Sequence, residues 1–301
     1  MPFITLFSAP KPFNDAHIAM IQRNAIKSWS LLPDVEVILL GGETGLAENA
    51  RELGVKNFSN VERSDSGAPL ISSMFQRARE NSRSELLCIV NSDMILMSDF
   101  VQAAEQVMKL KEKFILLSQR WDLDITLPIE FTNGWQDSLR STVRMRGVLH
   151  RPAGSDFFIF PRTCYTEMPA FAIGRAGWDN WMIYNARREH WPVIDCTLAT
   201  MIVHQNHDYG HLPGAQSHHN HPETEVNIKL AGGPAATRYT ILDSTHILKN
   251  GRLLHPRLSM PRLLRNIELS LRALFFFLPE ATLENIARPK RWMKRIKKIF
   301  L

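Results

Sequence analysis

Residues 86–93 read LLCIVNSD: an unbroken run of five apolar residues is followed at once by three polar ones. Similar, mostly apolar runs occur at 3–7 (FITLF), 35–40 (VEVILL) and 114–118 (FILLS). An unbroken apolar run is typical of a strand that is buried on both faces. Because segments with helical spacing separate these runs, the sequence predicts an α/β fold with a Rossmann-like, mostly parallel sheet covered by helices on both faces.

The remaining elements are predicted from apolar periodicity and from residues that begin helices. They are a first helix capped by Asn14 or Asp15 and running through Trp29, a second helix over 47–53, a strand over Val55–Phe58, a third helix from Pro69 to about Arg79, and a fourth helix capped by Ser98 and running to Met108. In such a sheet, ligands bind beyond the carboxyl ends of the strands. The residues that follow the strands are therefore functional candidates: Ser8–Phe13, Gly41–Glu43 and Asn91–Asp93.

The charge is unevenly distributed along the chain. There are 36 Lys and Arg against 30 Asp and Glu, a net charge of +6. Residues 251–301 hold 12 basic and 3 acidic residues, so the first 250 carry 24 against 27. This excludes a uniformly basic nucleic-acid-binding protein, and we expect no nucleic-acid partner. We expect a main domain over 1–250, with halves at 1–118 and 119–250, and a basic helical extension over 251–301.

The extension is amphipathic. Pro261–Leu278 has the spacing of an apolar helix with interspersed arginines, and residues 288–301 hold seven Lys and Arg and no acid. In the last stretch, Trp292, Ile296 and Ile299 fall on one side of a helix. This pattern predicts a helix that lies in the interface of an anionic membrane. The alternative is a solvated helix that covers the main domain.

Other features predict a cytoplasmic protein that is at most peripheral at the inner face of the membrane. The N-terminus shows no basic stretch followed by a long apolar one, so no signal peptide is expected. No apolar run approaches the ~20 residues that span a bilayer. The three cysteines form no CxxC pair, and Cys88 is expected to be a small buried core residue.

Asp93 is the most informative acidic residue, because it stands just past a strand that is buried on both faces. A carboxylate at that edge can ligate Mg2+ or Mn2+, which prefer oxygen ligands and are often shared with substrate phosphates. The alternative is that Asn91-Ser92-Asp93 is only a turn. In GSDFFIFPR (154–162), Asp156 precedes another apolar run and could face the same cleft, although Gly-Ser-Asp also makes a good loop.

The segment GRAGWDNW (174–181) places Asp179 between aromatic residues. Partial burial raises the pKa of a carboxyl toward working pH, which suits a general base. In the alternative interpretation, Asp179 caps a helix and the tryptophans lie in the core. The two interpretations are compatible.

Six of the eleven histidines fall within 18 residues: His204, His207, His211, His218, His219 and His221. The first three share one face if the segment is helical, and imidazole is a common metal ligand. A zinc site is conceivable, but the spacing matches neither HExxH nor a cysteine–histidine finger. The histidines at 218–221 are expected to belong to a polar loop.

Taken together, the order of elements over residues 1–250 resembles the GT-A-fold glycosyltransferases, of the nucleotide-diphospho-sugar transferase superfamily and family-2-like. Asn91-Ser92-Asp93 resembles their DxD motif, although asparagine replaces its first aspartate. Trp178-Asp179-Asn180 is similar in position to the family's acidic catalytic-base motif. Val203-His204 resembles the downstream histidine that completes metal binding in many of these enzymes.

The resemblance implies transfer of a sugar from a nucleotide-diphospho-sugar, with UDP the expected nucleotide, to a glycan, lipid-linked or other hydroxyl acceptor. It implies Mn2+ or Mg2+ held by Asp93 and His204, and an inverting reaction with Asp179 as general base. Residues 1–118 would be the nucleotide-binding half and 119–250 the acceptor half. The implied donor-binding residues are Ser8, Ala9, Pro10, Lys11, Gly41, Glu43, Pro69, Asn91, Ser92 and Asp93. The implied substrate-binding residues are Asp156, Trp178, Asn180 and His207.

Three other functions stay open. A sugar-nucleotide nucleotidylyltransferase also uses a related sheet, but it needs a glycine-rich, basic loop after the first strand, where this chain has SAPKPF (8–13). A metal-dependent hydrolase could use the cluster from His204 to His221. A non-catalytic protein that binds a sugar or a nucleotide sugar is the third.

Overall fold

The structure is a computed structural model, and it describes residues 1–207, 221–275, 278 and 282–283. The chain divides into two compact units, Met1–Leu254 and His255–Leu301.

Within the described residues, the first unit is built on a nine-stranded sheet. In the order in which they pair, its strands are β13 (Arg252–Leu254), β12 (His246–Lys249), β10 (Val193–Asp195), β6 (Ile115–Leu117), β9 (Phe157–Pro161), β4 (Leu86–Val90), β1 (Ile4–Ser8), β2 (Val35–Leu40) and β3 (Lys56–Phe58). Most pairings are parallel, whereas β9 runs antiparallel to both of its neighbours and β13 runs antiparallel to β12. The predicted α/β class and the mostly parallel sheet are confirmed.

Helices cover both faces of this sheet, as predicted. The helices on one face are α1 (Ala16–Ser30), α2 (Leu46–Leu53) and α4 (Ser98–Met108), and those on the other are α3 (Ile71–Glu80) and α6 (Trp178–Arg188). Along β4, Leu86, Cys88 and Val90 pack in the first core, and Leu87 and Ile89 pack in the second. An unbroken apolar run is what a strand with two buried faces requires.

Most element boundaries in the first unit lie within one residue of the prediction, and two helix starts differ in a way that has a structural cause. The strands β2 and β4 have the predicted bounds, and Asp15 caps α1 by accepting the backbone N–H of Ile18 (2.8 Å). Helix α3 begins two residues later than predicted, because Pro69 stays extended and forms a β-bridge with Arg63. Ser98 is the first residue of α4 and not its cap, and its hydroxyl donates to a glutamine of a later helix.

A second, four-stranded sheet lies in the same unit. In pairing order its strands are β5 (Met94–Ile95), β11 (Val203–Gln205), β7 (Trp121–Leu123) and β8 (Val148–Leu149). Helix α5 (Trp135–Arg146) packs Leu139 and Val143 into a small core with this sheet. The sequence does not predict this sheet, because β5 and β8 have two residues each and are too short to show a period.

The hairpin of β12 and β13 carries the first unit to Leu254, four residues beyond the expected boundary at 250. Its turn is Asn250-Gly251, with φ angles of +50° and +70°. Asn-Gly is a preferred pair for a two-residue hairpin turn, since both residues tolerate positive φ. The two predicted halves share one sheet, because β9, β10 and β12 pair alongside β4 and β6.

The second unit contains α8 (Met260–Leu274), where the sequence predicts a helix over Pro261–Leu278. Glu268 forms ion pairs with Arg265 (3.1 Å) and Arg272 (3.4 Å) of the same helix. The predicted membrane-binding segment 288–301 lies outside the described residues. None of the helices in the described ranges has the length and the apolar character that crossing a membrane requires.

Candidate functional site

Asp93 stands where the two sheets meet. It follows β4 of the large sheet, and the next residue begins β5 of the small sheet. Strand β11 pairs with β5 so that His204 lies opposite Met94, and the Gln205 side chain donates to the Asp93 carbonyl oxygen (3.1 Å). Strand pairing therefore brings His204 beside Asp93, although the two are far apart in the sequence.

Among the residues that the structure describes, three side chains of metal-ligand type meet at this point: Asp93, His204 and His207. Their ligand atoms all lie within 4.8 Å of one another. His207 Nε2 is 3.1 Å from Asp93 Oδ2, and His204 Nε2 is 3.7 Å from the same oxygen. The three side chains are mostly buried, with exposed fractions of 8 to 19%. One carboxylate and two imidazoles with this spacing can hold one metal ion.

The chemistry of the cluster fits a divalent cation. Asp93 Oδ1 is buried and has no hydrogen-bond partner among the described residues. A buried acceptor without a donor is costly unless a cation or another donor meets it. The carboxylate suits both Mn2+ and Mg2+, whereas the two imidazoles favour Mn2+ over Mg2+ because imidazole is a softer ligand.

Neighbouring cations keep Asp93 ionised. Burial raises the pKa of this carboxyl, but a hydrogen bond from His207 and the charges of His204, His207 and Lys11 outweigh burial and lower the pKa to about 2. Burial lowers the pKa of Lys11, and the charge of Asp93 opposes that shift. The cluster therefore combines a carboxylate with a half-buried lysine, an arrangement suited to a metal ion and a phosphate.

A second group of charged side chains lies beside the histidines. Arg120 Nε is 2.9 Å from Asp122 Oδ1, and Arg120 Nη1 is 2.6 Å from Asp156 Oδ1. Asp122 Oδ2 accepts from His150 Nδ1 (2.6 Å), and Asp122 Oδ1 lies 3.1 Å from His204 Nδ1. None of the sequence motifs singled out above contains Arg120, Asp122 or His150.

Of the three residues NSD, Asp93 presents its side chain to the histidines. Asn91 donates its amide to Asp156 Oδ1 (2.9 Å), and its backbone N–H donates to the Asp156 carbonyl (2.8 Å). Ser92 donates to Gln22 Oε1 (3.0 Å). Asp156 reaches this edge because β9 begins where its antiparallel partner β4 ends. Asn91 and Ser92 therefore hold neighbouring side chains. Asp156 Oδ1 accepts from both Asn91 and Arg120.

Asp179 lies in the first turn of α6, whose N-cap is Gly177 and not Asp179. Burial raises the pKa of the Asp179 carboxyl and the nearby charge of Asp156 adds to this shift, while backbone N–H groups at Gly177, Asp179 and Asn180 oppose it without cancelling it. A raised pKa is what a general base requires, and the role of Asp179 as that base stays a prediction.

The two residues that flank Asp179 in the sequence make contacts within the fold. Trp178 is 6% exposed and packs against Phe158, with ring centroids 5.9 Å apart. It packs in the core between α6 and the sheet, and its predicted role in substrate binding stays a prediction. Asn180 Nδ2 donates to the Tyr239 carbonyl (2.6 Å), so its amide is used within the fold.

Glu43 lies past the carboxyl end of β2. Its Oε1 is 2.7 Å from Arg63 Nη2, and its Oε2 is buried with no hydrogen-bond partner in the part of the chain that the structure describes. Gly41 has a φ of +126°, and a Cβ built there would overlap Glu43 Oε2. The absence of a side chain at Gly41 therefore leaves room for the Glu43 carboxylate.

The predicted donor-binding residues at the end of β1, and Pro69 before α3, differ in their surroundings. Ser8 and Pro10 are buried, and the Ser8 hydroxyl donates to a backbone carbonyl of β4 (2.6 Å). Ala9 packs against the core, and Pro69 accepts a backbone N–H at 3.0 Å. These contacts lie within the fold, and the predicted nucleotide contacts of Ser8 and Pro69 stay predictions. Lys11 is the member of this set whose side chain interacts with Asp93.

The histidine cluster does not form the helical face considered above. His204 lies on strand β11, and His207 follows the end of that strand. His221 Nδ1 accepts the backbone N–H of Glu223 (3.2 Å) and caps helix α7 (Pro222–Leu230). The remaining members, His211, His218 and His219, lie outside the described residues.

No family model matches the sequence, and no curated protein matches it. Among solved structures, glucosyl-3-phosphoglycerate synthase from Mycobacterium tuberculosis in complex with Mn2+, UDP and phosphoglyceric acid is 16% identical, with a TM-score of 0.47 over 77% of this chain and 80% of that one. A mannosyltransferase from Pyrobaculum calidifontis in complex with GDP-Man and Mn2+ is 13% identical, with a TM-score of 0.43 over 69% of this chain and 58% of that one. The chain is thus similar in structure to these two glycosyltransferases.

Proposed function

We propose that this chain is a metal-assisted glycosyltransferase. It would move a sugar from a nucleotide-diphospho-sugar, with UDP as the favoured nucleotide, to a hydroxyl group of a glycan or another acceptor. The observation that carries the proposal is the meeting of Asp93, His204 and His207 past the carboxyl end of a parallel strand, with Lys11 beside them. This edge of such a sheet is where nucleotides bind.

In the proposed site, Asp93, His204 and His207 hold Mn2+ or Mg2+. When bound, the ion neutralises the diphosphate leaving group as the glycosidic bond breaks. Lys11 adds a positive charge in a half-buried position, where its attraction for a phosphate is stronger than in water.

Glu43 is proposed to bind the ribose of the donor. Its second carboxylate oxygen is buried with no hydrogen-bond partner among the described residues, and hydroxyl groups of a ribose would satisfy it. Acidic residues past the second strand of nucleotide-binding sheets bind ribose hydroxyls in this way.

Asp179 is proposed to take the proton from the acceptor hydroxyl in an inverting reaction. Its raised pKa makes its carboxylate a stronger base than an exposed aspartate. Asp156, which couples electrostatically to Asp179 and pairs with Arg120, would then help to orient sugar hydroxyls at this edge. A lipid-linked acceptor and an anionic membrane bound through residues 288–301 remain proposals from the sequence.

Two alternatives make different predictions. Two imidazoles and a carboxylate also suit Zn2+ or Fe2+, so a metal-dependent hydrolase could use His204 and His207. A non-catalytic nucleotide-sugar-binding protein would use the same edge without turnover. Lys11 and Glu43 favour a site that takes a nucleotide diphosphate over a simple hydrolase.

The test is to incubate the purified full chain with UDP-, GDP-, CMP- and dTDP-sugars, with and without Mn2+, and to measure thermal shift and nucleotide release. We expect one donor class to bind and to be slowly hydrolysed in a Mn2+-dependent way, and Asp93→Ala to abolish this while the exposed control Asp137→Ala retains it. Binding without release, also in the presence of acceptor glycans, supports the binding module. Zn2+-dependent hydrolysis of simple esters supports the hydrolase, and no binding of any nucleotide sugar refutes the proposal.

A further inference from the structure

Asp122 lies beside the proposed metal site without being one of its ligands. It is on β7, which pairs in parallel with β11 so that Asp122 and His204 are direct partners across the two strands. Directly opposed residues of neighbouring strands have their side chains on the same face of the sheet. Asp122 Oδ1 is 3.1 Å from His204 Nδ1, while the other ring nitrogen of His204, Nε2, faces Asp93 Oδ2 at 3.7 Å.

The carboxylate of Asp122 is held from both sides. Arg120 Nε donates to Oδ1 (2.9 Å), and His150 Nδ1 donates to Oδ2 (2.6 Å). His150 follows β8, the strand that pairs with β7 on its other side. The orientation of Asp122 is therefore set by the small sheet and by two charged or polar donors, independently of His204.

This geometry bears on which nitrogen of His204 carries the proton. His204 Nδ1 is buried and lies at hydrogen-bond distance from Asp122 Oδ1, although the ring is turned away from the ideal direction, so that no hydrogen bond is formed in this structure. A hydrogen bond between the two groups requires the imidazole to turn its Nδ1–H toward the carboxylate. A neutral imidazole with its proton on Nδ1 has its lone pair on Nε2, the nitrogen that faces Asp93.

We propose that Asp122 is a positioning residue for the metal site: it accepts the Nδ1–H of His204 and so presents the Nε2 lone pair to a divalent cation bound by Asp93. Metal-ligating histidines commonly donate their second N–H to a carboxylate, which fixes the ring and its tautomer. The inference rests on the proposed function, because it assumes that His204 is a metal ligand.

The test measures metal binding and the tautomer, not turnover. Mn2+ affinity of the full chain is measured by electron paramagnetic resonance in the presence of UDP. We expect Asp122→Asn to weaken the affinity by about 10- to 100-fold, the usual effect of losing such a partner. The matched control is Asp124→Asn, which removes a carboxylate two residues along the chain that accepts from Asn206 (2.7 Å), and we expect it to keep the wild-type affinity.

The second measurement needs no variant. Nitrogen-15 NMR of the wild-type chain with Mg2+ and UDP, with His204 assigned through His204→Asn, should show a protonated Nδ1 and an unprotonated Nε2. If the wild type binds Mn2+ and turns over, either of two results overturns the positioning role alone. One is a proton on His204 Nε2, and the other is a folded Asp122→Asn variant that binds Mn2+ as tightly as the wild type. A wild type that binds neither Mn2+ nor Mg2+ overturns the proposed metal site, and the positioning role with it.

Discussion

Replacing Arg120 by methionine removes the cation that two carboxylates of the site share. Arg120 Nε and Nη1 lie 2.9 Å from Asp122 Oδ1 and 2.6 Å from Asp156 Oδ1, and the three side chains are only 10 to 21% exposed. Removing one partner of a buried ion pair costs roughly 3–5 kcal/mol, because a charge is left without compensation. We expect the lower end, about 3 kcal/mol at pH 7, because Asp122 keeps His150 and Asp156 keeps Asn91 as donors.

The assay is urea denaturation, which gives the free energy of unfolding of each variant. Methionine fills a similar volume, so a large loss reports the missing charge and not a cavity. Asp156→Asn added to Arg120→Met should restore about 1–2 kcal/mol, because it removes the unpaired carboxylate. Arg144→Met, at an exposed position of α5, should stay within about 0.5 kcal/mol of the wild type. A loss below about 1 kcal/mol for Arg120→Met, or further destabilisation in the double variant, would refute the reasoning.

Three further predictions can be tested on the same chain. Asp179→Asn should spare nucleotide binding and lower turnover by about 10²–10⁴-fold, and equal turnover would contradict the base assignment. Because the pKa of Asp179 is raised in the folded state, its ionised carboxylate destabilises the fold above that pKa. The variant should therefore be more stable than the wild type at pH 8 and not at pH 3. Gly41→Ala should raise the KM for the donor by displacing Glu43. The control Gly54→Ala, also at positive φ (+70°) but in open space, should affect stability alone. Equal KM values for the Gly41→Ala variant and the wild type would contradict the role of Glu43. Deleting 288–301 should release the chain from anionic liposomes in a flotation assay without lowering turnover on a soluble acceptor, and undiminished liposome binding would contradict the membrane prediction.

The large sheet was predictable because its strands are marked by their own residues. β2 and β4 have the predicted bounds, since a strand that is buried on both faces is apolar over most or all of its length. The small sheet was not predictable in the same way, because β5 and β8 have two residues each and depend on their partners. Helix α3 starts late for a similar reason: Pro69 bridges to Arg63 and Leu70 bridges to the distant Ala172, and local helix propensity does not report these pairings.

Of the site, the sequence singles out Asp93 and His204, but what joins them is pairing of β5 with β11, which no local pattern shows. His207 was predicted to bind substrate, and the structure places it 3.1 Å from Asp93 Oδ2. Asp122 was missed although a signal was present: RWDLD (120–124) alternates polar and apolar residues, the period of a strand with one polar face.

The most direct test of the central claim, that Asp93 with its two histidines holds the cation of a nucleotide-diphosphate site, is a Mn2+ titration of the wild type and of Asp93→Ala in the presence of UDP. The account predicts one bound Mn2+ per chain in the wild type and an affinity more than about 100-fold lower in the folded variant, a larger effect than the loss of an outer partner. Equal Mn2+ affinity in the two proteins would contradict it.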